Sequence, residues 1–361
     1  MKKIVLAFSF LFCLLSFSKA QSISVPDSIF KNYLLNNPAI NTDGDTTITL
    51  AEAIAFHDTL ALWHYHVNSL DGIENFINIT GLDCEGECCG ILGLLRSIDV
   101  SHCTHLKWLN CYNNQLHDLD LSHNTELLVL NCASNPLGDL DLSNNSLLKE
   151  LYCSSDSLST INVSGATQLE QFYCMSNQLS SLDVTNNTAL KALYCSDNNF
   201  PTVNVSHNPS LEEFLCVSDH LTSLDVTHNS LLSYFYCNSN PNLFTICVSS
   251  ISYANAQEAV MGYIKDSTAS WSETCSFAGI ANSSFNSFSV SPNPGKGQFN
   301  FTGLDTENTI EIFDISGRTI SKVVSTGSTY SVDLSAKDKG VYFYKITTAD
   351  QKFRSGKIIL Q

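Results

Sequence analysis

The chain has 361 residues, a formal net charge of −17 at pH 7, and 43% hydrophobic residues. This length leaves room for two or three structural units. Proteins that bind nucleic acids need clustered Lys and Arg to meet the phosphates, so the acidic charge argues against a nucleic-acid partner.

Residues 1–20 have the pattern of a secretory signal peptide. Lys2 and Lys3 precede an apolar stretch at 4–17, and Ala20 provides a small residue for cleavage. No later stretch approaches the roughly 18 apolar residues that a membrane-spanning helix needs. The sequence therefore predicts an exported protein whose mature chain has no transmembrane segment.

Residues 21–78 are predicted to form an N-terminal cap with a short amphipathic helix after Asp27. Within the cap, residues 41–52 nearly match the 12-residue calcium-binding loop of EF-hands. The predicted oxygen ligands stand at positions one, three, five, seven and twelve: Asn41, Asp43, Asp45, Thr47 (by its carbonyl) and Glu52. Asn41 replaces the usual first Asp and Thr46 replaces the usual Gly. A polar turn before a helix is the alternative.

Three histidines of the cap, His57, His64 and His66, come without an acidic or cysteine ligand placed beside them. Zinc sites usually have three or four protein ligands. We therefore expect surface histidines here.

Residues 79–250 are predicted to form a repeat domain. Between Leu106 and Cys237 one pattern, L-x-x-L-x-C-x-x-N, recurs every 21 residues and is followed half a period later by L-x-L or L-x-V. A fixed period of this length predicts a solenoid whose coils bury their apolar faces by stacking. The alternation predicts short parallel strands in both halves of each coil, and the Asn should bond the backbone of adjacent coils. The repeated cysteines are Cys111, Cys132, Cys153, Cys174, Cys195, Cys216 and Cys237.

This segment resembles bacterial leucine-rich repeats of the short, 21-residue, internally doubled kind, and residues 69–76 look like the lead-in cap of internalin-like proteins. The resemblance implies a mainly β solenoid with a helical cap, used for binding.

The cysteines fall into three groups. Those of the repeat occupy a buried apolar position and are predicted to be free thiols, because in-register neighbours have poor disulfide geometry. Cys84, Cys88, Cys89 and Cys103 cluster in an early, interrupted repeat, where a disulfide is favoured over zinc in an exported protein; their connectivity stays open. Cys247 and Cys275 are predicted to form a disulfide in a C-terminal cap at 251–280.

Residues 281–287 read as a linker, and residues 288–361 as an all-β sandwich of short alternating strands. Its characteristic elements are Ser291-Pro292-Asn293-Pro294, Gly340-Val341-Tyr342 and Lys357-Ile358-Ile359. They resemble the C-terminal sorting domain of the type IX secretion system of Bacteroidetes. The resemblance implies recognition by that machinery and delivery to the cell surface or the medium; whether the mature form is anchored or released stays open.

No catalytic triad, paired-carboxylate pocket or phosphate loop is present, so we expect a binding module and not an enzyme. Outward-facing aromatic residues near the cysteine strand form the predicted ligand site, for a protein or, alternatively, a glycan. A passive structural role is the third possibility. The predicted site residues are Trp108, Tyr112, Tyr152, Tyr173, Tyr194, Tyr234 and Tyr236.

A second outward column consists of acidic residues, and we expect it to be solvated, with cation binding as the alternative. Its members are Asp120, Asp141, Asp183 and Asp225.

Overall fold

The computed structural model describes residues 21–86, 93–274, 289–304, 308–314, 318–348 and 353–361. The chain divides into two compact units, Met1–Glu273 and Thr274–Gln361. The predicted signal peptide, the linker and Cys88, Cys89 and Cys275 lie outside the described residues.

The N-terminal cap begins with helix α1 (Ser28–Asn36) and continues with helix α2 (Leu50–Ala55) and a 3₁₀ helix (Ile73–Asn75). The predicted first helix is confirmed. Asp27 caps it, because its side chain accepts hydrogen bonds from the first backbone N–H groups. Thr49 and Glu52 form a reciprocal capping box at the start of α2.

A ten-stranded parallel sheet forms one side of the solenoid, and its strands pair in register from coil to coil. Apart from the strands at the two ends, each strand is the x-L-x or x-F-x segment just before the cysteine position. In spatial order, numbered along the chain, the strands are β1 (Thr59–Ala61), β2 (Gly81–Asp83), β3 (Trp108–Asn110), β4 (Val129–Asn131), β6 (Glu150–Tyr152), β8 (Gln171–Tyr173), β9 (Ala192–Tyr194), β10 (Glu213–Leu215), β12 (Tyr234–Tyr236) and β14 (Tyr263–Ile264). The sheet therefore extends into both predicted caps, by β1 at one end and β14 at the other.

The second half of each coil is less regular than predicted. Among the described residues, strands form there in two groups: β5 (Asp139–Asp141) with β7 (Thr160–Asn162), and β11 (Leu224–Asp225) with β13 (Thr245–Cys247) and β15 (Ser270–Ser272). The other described coils follow the same path without strand pairing. Their L-x-L residues still point inward, since Leu119 and Leu121 are buried.

The core runs the length of the solenoid and contains the repeated cysteines, all buried free thiols as predicted. Cys84 joins this column, because Leu82 pairs with Leu109 and places Cys84 beside Cys111. The expected disulfide involving Cys84 or Cys103 is wrong for these two residues, which are free thiols. Burial raises the pKa of the Cys103 thiol to about 12, and it also raises the pKa of the Cys84 thiol well above its ordinary value.

The corner asparagines satisfy the backbone, as predicted. The Nδ2 atom of Asn135 donates to the carbonyl oxygens of Cys132 and of Cys111, one coil earlier. Asn177, Asn198 and Asn240 repeat this pair of bonds. A second asparagine column also bonds the backbone: the Nδ2 atom of Asn145 donates to the carbonyl oxygens of Leu121 and Asn124, both in the preceding coil.

Two coils carry a buried aspartate where the others carry the corner asparagine. Asp156 and Asp219 are completely buried, and each accepts a hydrogen bond from the backbone N–H of the preceding coil's corner residue. An ionised carboxylate has no proton to donate to the cysteine carbonyls. The second oxygen of Asp219, Oδ2, has no hydrogen-bond partner. Burial raises the pKa of Asp156 to about 7 and that of Asp219 to about 8.

Helix α3 (Ile251–Ala259) closes the C-terminal end of the solenoid, where a partly helical cap was predicted. Ala254 and Tyr263 are buried there, and Trp271 packs against the same core. The open end of the apolar core is thereby covered.

The C-terminal unit is a β-sandwich. One sheet contains β16 (Ser289–Ser291), β17 (Gln298–Thr302) and β20 (Thr329–Asp333); the other contains β18 (Asn308–Phe313), β19 (Thr319–Ser325), β21 (Gly340–Thr348) and β22 (Phe353–Leu360). All pairs are antiparallel. Phe299 and Phe301 of one sheet share a core with Ile310, Tyr344 and Ile358 of the other.

The buried aspartates predict an unusual pH dependence of stability. Both folded-state pKa values lie above the ordinary value of 3.8, so protonation favours the folded state. The free energy of unfolding should therefore fall as the pH rises from about 4 to about 8, on the order of 2–4 kcal/mol for each site.

The variant D156N/D219N restores the corner amide and should remove most of this fall, with a higher free energy of unfolding at pH 8 than the wild type. Urea unfolding at several pH values measures the effect. Asp139→Asn, an exposed carboxylate on β5, is the control and should keep the wild-type slope. Equal slopes in the wild type and the double variant would contradict the interpretation.

Candidate functional site

Three tyrosines form a continuous ribbon on the outward face of the ten-stranded sheet. Tyr152, Tyr173 and Tyr194 occupy the same position on β6, β8 and β9, and they pair in register. The rings of Tyr152 and Tyr173 stack at 4.9 Å with an interplanar angle of 10°. Tyr194 meets Tyr173 edge-on at 4.6 Å. The predicted alignment is therefore present, although each ring is partly buried by its neighbours.

The hydroxyl groups of these three tyrosines donate hydrogen bonds to polar side chains at the first position of the same strand or of the next one. Tyr152 donates to Glu150 at 3.0 Å, and Tyr194 donates to Glu213. Tyr173 donates to Gln171 at 3.4 Å. Burial, followed by the hydrogen bond to Glu150, raises the pKa of Tyr152 to about 12. These contacts fix the ring positions, so the ribbon is a rigid surface with low conformational freedom.

The aromatic surface extends towards the C-terminal cap. Leu215 pairs with Tyr194 on one side and Tyr236 on the other. Tyr234 and Tyr236 have ring centroids 4.3 Å apart. We name Tyr152, Tyr173, Tyr194, Leu215, Tyr234 and Tyr236 the tyrosine surface.

Two predicted site residues lie apart from this surface. Trp108 is on β3, separated from β6 by β4. Tyr112 follows Cys111 and so belongs to a different outward column. Both are only partly exposed, and the structure does not bring them to the tyrosine surface.

Sequence reasoning missed a charged column along the edge of the same face. Lys149, Glu170, Lys191 and Glu212 recur at the 21-residue period with alternating sign. Lys191 contacts Glu170 at 2.6 Å, and the side-chain hydrogen bond and charge of Lys191 lower the pKa of Glu170. The constant interval was the signal that could have revealed this column.

A second missed feature is an exposed apolar end of the C-terminal cap. Val260 and Met261 are each 71% exposed, and Leu231 is 56% exposed. Tyr236 donates a hydrogen bond to the Met261 carbonyl at 3.2 Å. The apolar end therefore adjoins the tyrosine surface.

The residues of the predicted calcium loop lie together at the junction between α1 and α2. Asn41 and Glu52 are buried, whereas Asp43 and Asp45 are exposed. Thr46 does not adopt the left-handed backbone that the usual Gly adopts at this position, whereas Gly44 does, with φ 71°. In the described part of the chain, no three His, Cys, Asp or Glu side chains converge in an arrangement that would hold a metal ion.

The other predicted polar positions are at the surface. His57, His64 and His66 are exposed, as expected, and the Trp63 and His64 rings lie 3.7 Å apart. In the acidic column, Asp120, Asp141, Asp183 and Asp225 each accept a hydrogen bond from the backbone N–H two residues later. These bonds shape the turn and give the column a structural role. Cation binding at the column stays untested.

The cap disulfide stays a prediction. Cys247 is buried on β13, and its predicted partner, Cys275, lies outside the described residues.

The sandwich matches a known family model. Residues 289–361 match the secretion system C-terminal sorting domain. The chain carries a type IX secretion system sorting domain. It is therefore exported through the type IX system to the outer cell surface or the extracellular space, as the sequence predicted. Sorting requires that the secretion machinery recognise this domain.

Solved structures similar to the chain include leucine-rich-repeat proteins. The functional domain of InlJ from Listeria monocytogenes, described as including a cysteine ladder, is 18% identical over 94% of this chain and 98% of that one, with a TM-score of 0.31. A leucine-rich-repeat protein from Bacteroides eggerthii is 19% identical over 46% and 31%, with a TM-score of 0.38. The leucine-rich-repeat domain of APL1B is 21% identical over 50% and 51%, with a TM-score of 0.36. No curated protein matches the chain.

These similarities are too distant to carry an argument, so the leucine-rich-repeat assignment rests on the 21-residue period and the parallel sheet. Across the described residues, no helix is both long enough and apolar enough to cross a membrane.

The two-unit division predicts the result of removing the sorting domain. A chain lacking residues 289–361 should keep a folded solenoid, because the two units have separate cores, but it should accumulate in the periplasm. Fractionation with limited proteolysis of each fraction measures this. Surface display of the truncated chain at the wild-type level would contradict the sorting role.

Proposed function

We propose that the protein is an exported, non-catalytic binding module that engages a protein partner through the tyrosine surface. The observation that carries the proposal is the in-register row of Tyr152, Tyr173 and Tyr194 on an open sheet face. Tyr supplies a large contact area at low entropic cost, and it is enriched at interaction hot spots.

The packing of the rings favours a protein over a glycan. Sugar rings stack on open aromatic faces, but Tyr173 has one neighbouring ring on each side, Tyr152 and Tyr194. The stack of Tyr152 on Tyr173 covers ring faces that a sugar would need, and Leu215 adds an aliphatic side chain between Tyr194 and Tyr236. Such a surface suits the apolar side chains of a polypeptide better than the face of a sugar.

The charge of the unit favours a basic partner. Residues 21–274 contain 28 Asp and Glu but only six Lys and Arg. Glu150 and Glu213 stand beside the tyrosines, and Glu170 and Glu212 lie along the edge. A partner with Lys or Arg around an apolar centre would complement this surface and associate more slowly at high salt.

Stabilisation of the solenoid is the competing explanation for the tyrosines. Aromatic pairs contribute roughly 0.5–1.5 kcal/mol each beyond their buried area, so the ribbon strengthens coil stacking whether or not anything binds. A binding test must therefore separate affinity from stability.

The partner can be identified by placing a photo-crosslinking amino acid at position 173, on the tyrosine surface, and at position 162, on the other side of the coil. One protein partner should be captured from intact cells at 173 and not at 162. Capture of the same protein equally at both positions would remove the tyrosine surface from the interface.

The identified partner then permits a quantitative test. The variant Y152S/Y173S/Y194S should bind at least about 100-fold more weakly, since hot-spot residues contribute more than about 1 kcal/mol each. Tyr65→Ser, an exposed tyrosine of the cap, is the matched control and should bind normally. Circular dichroism verifies folding. Wild-type affinity in a folded triple variant would contradict the proposal, and selective binding to a glycan array would favour the alternative.

A further inference from the structure

A buried oxygen without a partner lies at the centre of the loop between α1 and α2. The Asn41 side chain is 94% buried, with a relative exposure of 6%. Its Nδ2 atom donates to the carbonyls of Leu35 and Asp45, at 2.9 and 3.1 Å. The loop therefore wraps around this amide. Its Oδ1 atom has no hydrogen-bond partner, and a buried oxygen left in this state costs stability.

A buried carboxylate lies at the other end of the same loop. Glu52 is 8% exposed, and it accepts hydrogen bonds from the backbone N–H groups of Thr42 and Thr49, at 2.8 and 2.9 Å. Thr42 adjoins Asn41, so Glu52 reaches back to the residue next to the unpartnered oxygen. No Lys, Arg or His among the described residues forms an ion pair with Glu52.

The four hydrogen bonds to the Glu52 carboxylate come from neutral groups, the backbone N–H and the hydroxyl of Thr42 and of Thr49. The loop therefore holds a carboxylate without a cationic side chain to balance it.

Two further carboxylates stand on the outer turns of the loop. Asp43 accepts a hydrogen bond from the backbone N–H of Asp45, and Asp45 accepts one from Thr47. Both side chains are exposed, so their rotation is not blocked by packing. Oxygen atoms are thus available at positions one, three, five and twelve of a 12-residue segment, and the Thr47 carbonyl supplies position seven.

We propose that residues 41–52 bind one calcium ion, with Asn41 Oδ1 and the Glu52 carboxylate as the buried ligands. Asp43 and Asp45 turn inward to complete the shell with the Thr47 carbonyl. Calcium accepts six to eight oxygen ligands in a flexible arrangement, whereas magnesium requires near-ideal octahedral geometry. An irregular loop of this kind therefore suits calcium.

The departures from the usual loop predict a weak site. Asn41 contributes no charge, and Thr46 lacks the left-handed turn. Glu52 and the two aspartates must also give up hydrogen bonds to bind the ion. Affinity falls with fewer ligand charges, and extracellular calcium modules have dissociation constants of roughly 0.1–1 mM. That range suits an exported protein. Calcium bound here would join the end of α1 to the start of α2 and stabilise the cap that precedes β1.

Calorimetric titration of the purified full chain with calcium chloride tests the proposal, together with the midpoint of thermal unfolding in calcium or EDTA. We expect a dissociation constant of roughly 0.1–1 mM and a midpoint that rises with calcium. Asn41→Asp should bind more tightly by about tenfold. Glu52→Gln keeps a capping-box residue at the start of α2, so the helix should remain while calcium affinity falls at least tenfold.

Asp58→Asn is the matched control, because Asp58 is an exposed carboxylate outside the loop, and it should behave as the wild type. Absence of binding up to 10 mM calcium in both the wild type and Asn41→Asp would overturn the proposal. Unchanged affinity in Glu52→Gln would also overturn it, since the ion would then bind elsewhere, for example at the Asp120 column. An equal shift with magnesium would overturn the assignment of calcium.

Discussion

The corner asparagine is the constraint on which the solenoid depends. A coil of 21 residues must turn sharply, and its turn leaves buried carbonyl oxygens that water cannot reach. Each amide at this corner donates to its own coil and to the preceding one, so it satisfies two coils at once. The residue just before it adopts a left-handed backbone, with φ between 56° and 63° at Asn113, Ser134, Ser155, Ser176, Asp197, Ser218 and Ser239. Small polar residues tolerate that conformation.

This constraint also explains the tyrosine surface. Because the corner fixes the register of successive coils, a side chain at one position of the repeat lies directly beside its equivalents. Three successive coils have tyrosine at the same position of the repeat, so the side chains of Tyr152, Tyr173 and Tyr194 form a row. The surface is rigid because the scaffold beneath it is rigid, and a rigid aromatic surface loses little entropy on binding.

The sequence predicted features that follow from the period and missed those that depend on where the period is broken. The parallel sheet, the inward cysteines and the register of the tyrosines all follow from the interval of 21. Cys84 was misassigned because an insertion separates it from Cys111 by 27 residues, although the strands still pair in register. The extra strands β1 and β14 have no repeat motif, because edge strands are shaped by the caps that cover them. The second-half strands were overpredicted, because L-x-L alternation fixes which side chains point inward but not the spacing needed for strand pairing.

The buried cysteines also fit an exported protein. An oxidising compartment favours disulfides, yet oxidation begins with a thiolate that a reagent can reach. Burial raises the pKa of each thiol in the column, including Cys132, Cys153 and Cys195, and removes it from solvent. The in-register strands also hold neighbouring Cβ atoms at about the strand spacing of 4.8 Å, which is wider than a disulfide accepts. The column is thus protected from oxidation by burial and by geometry together.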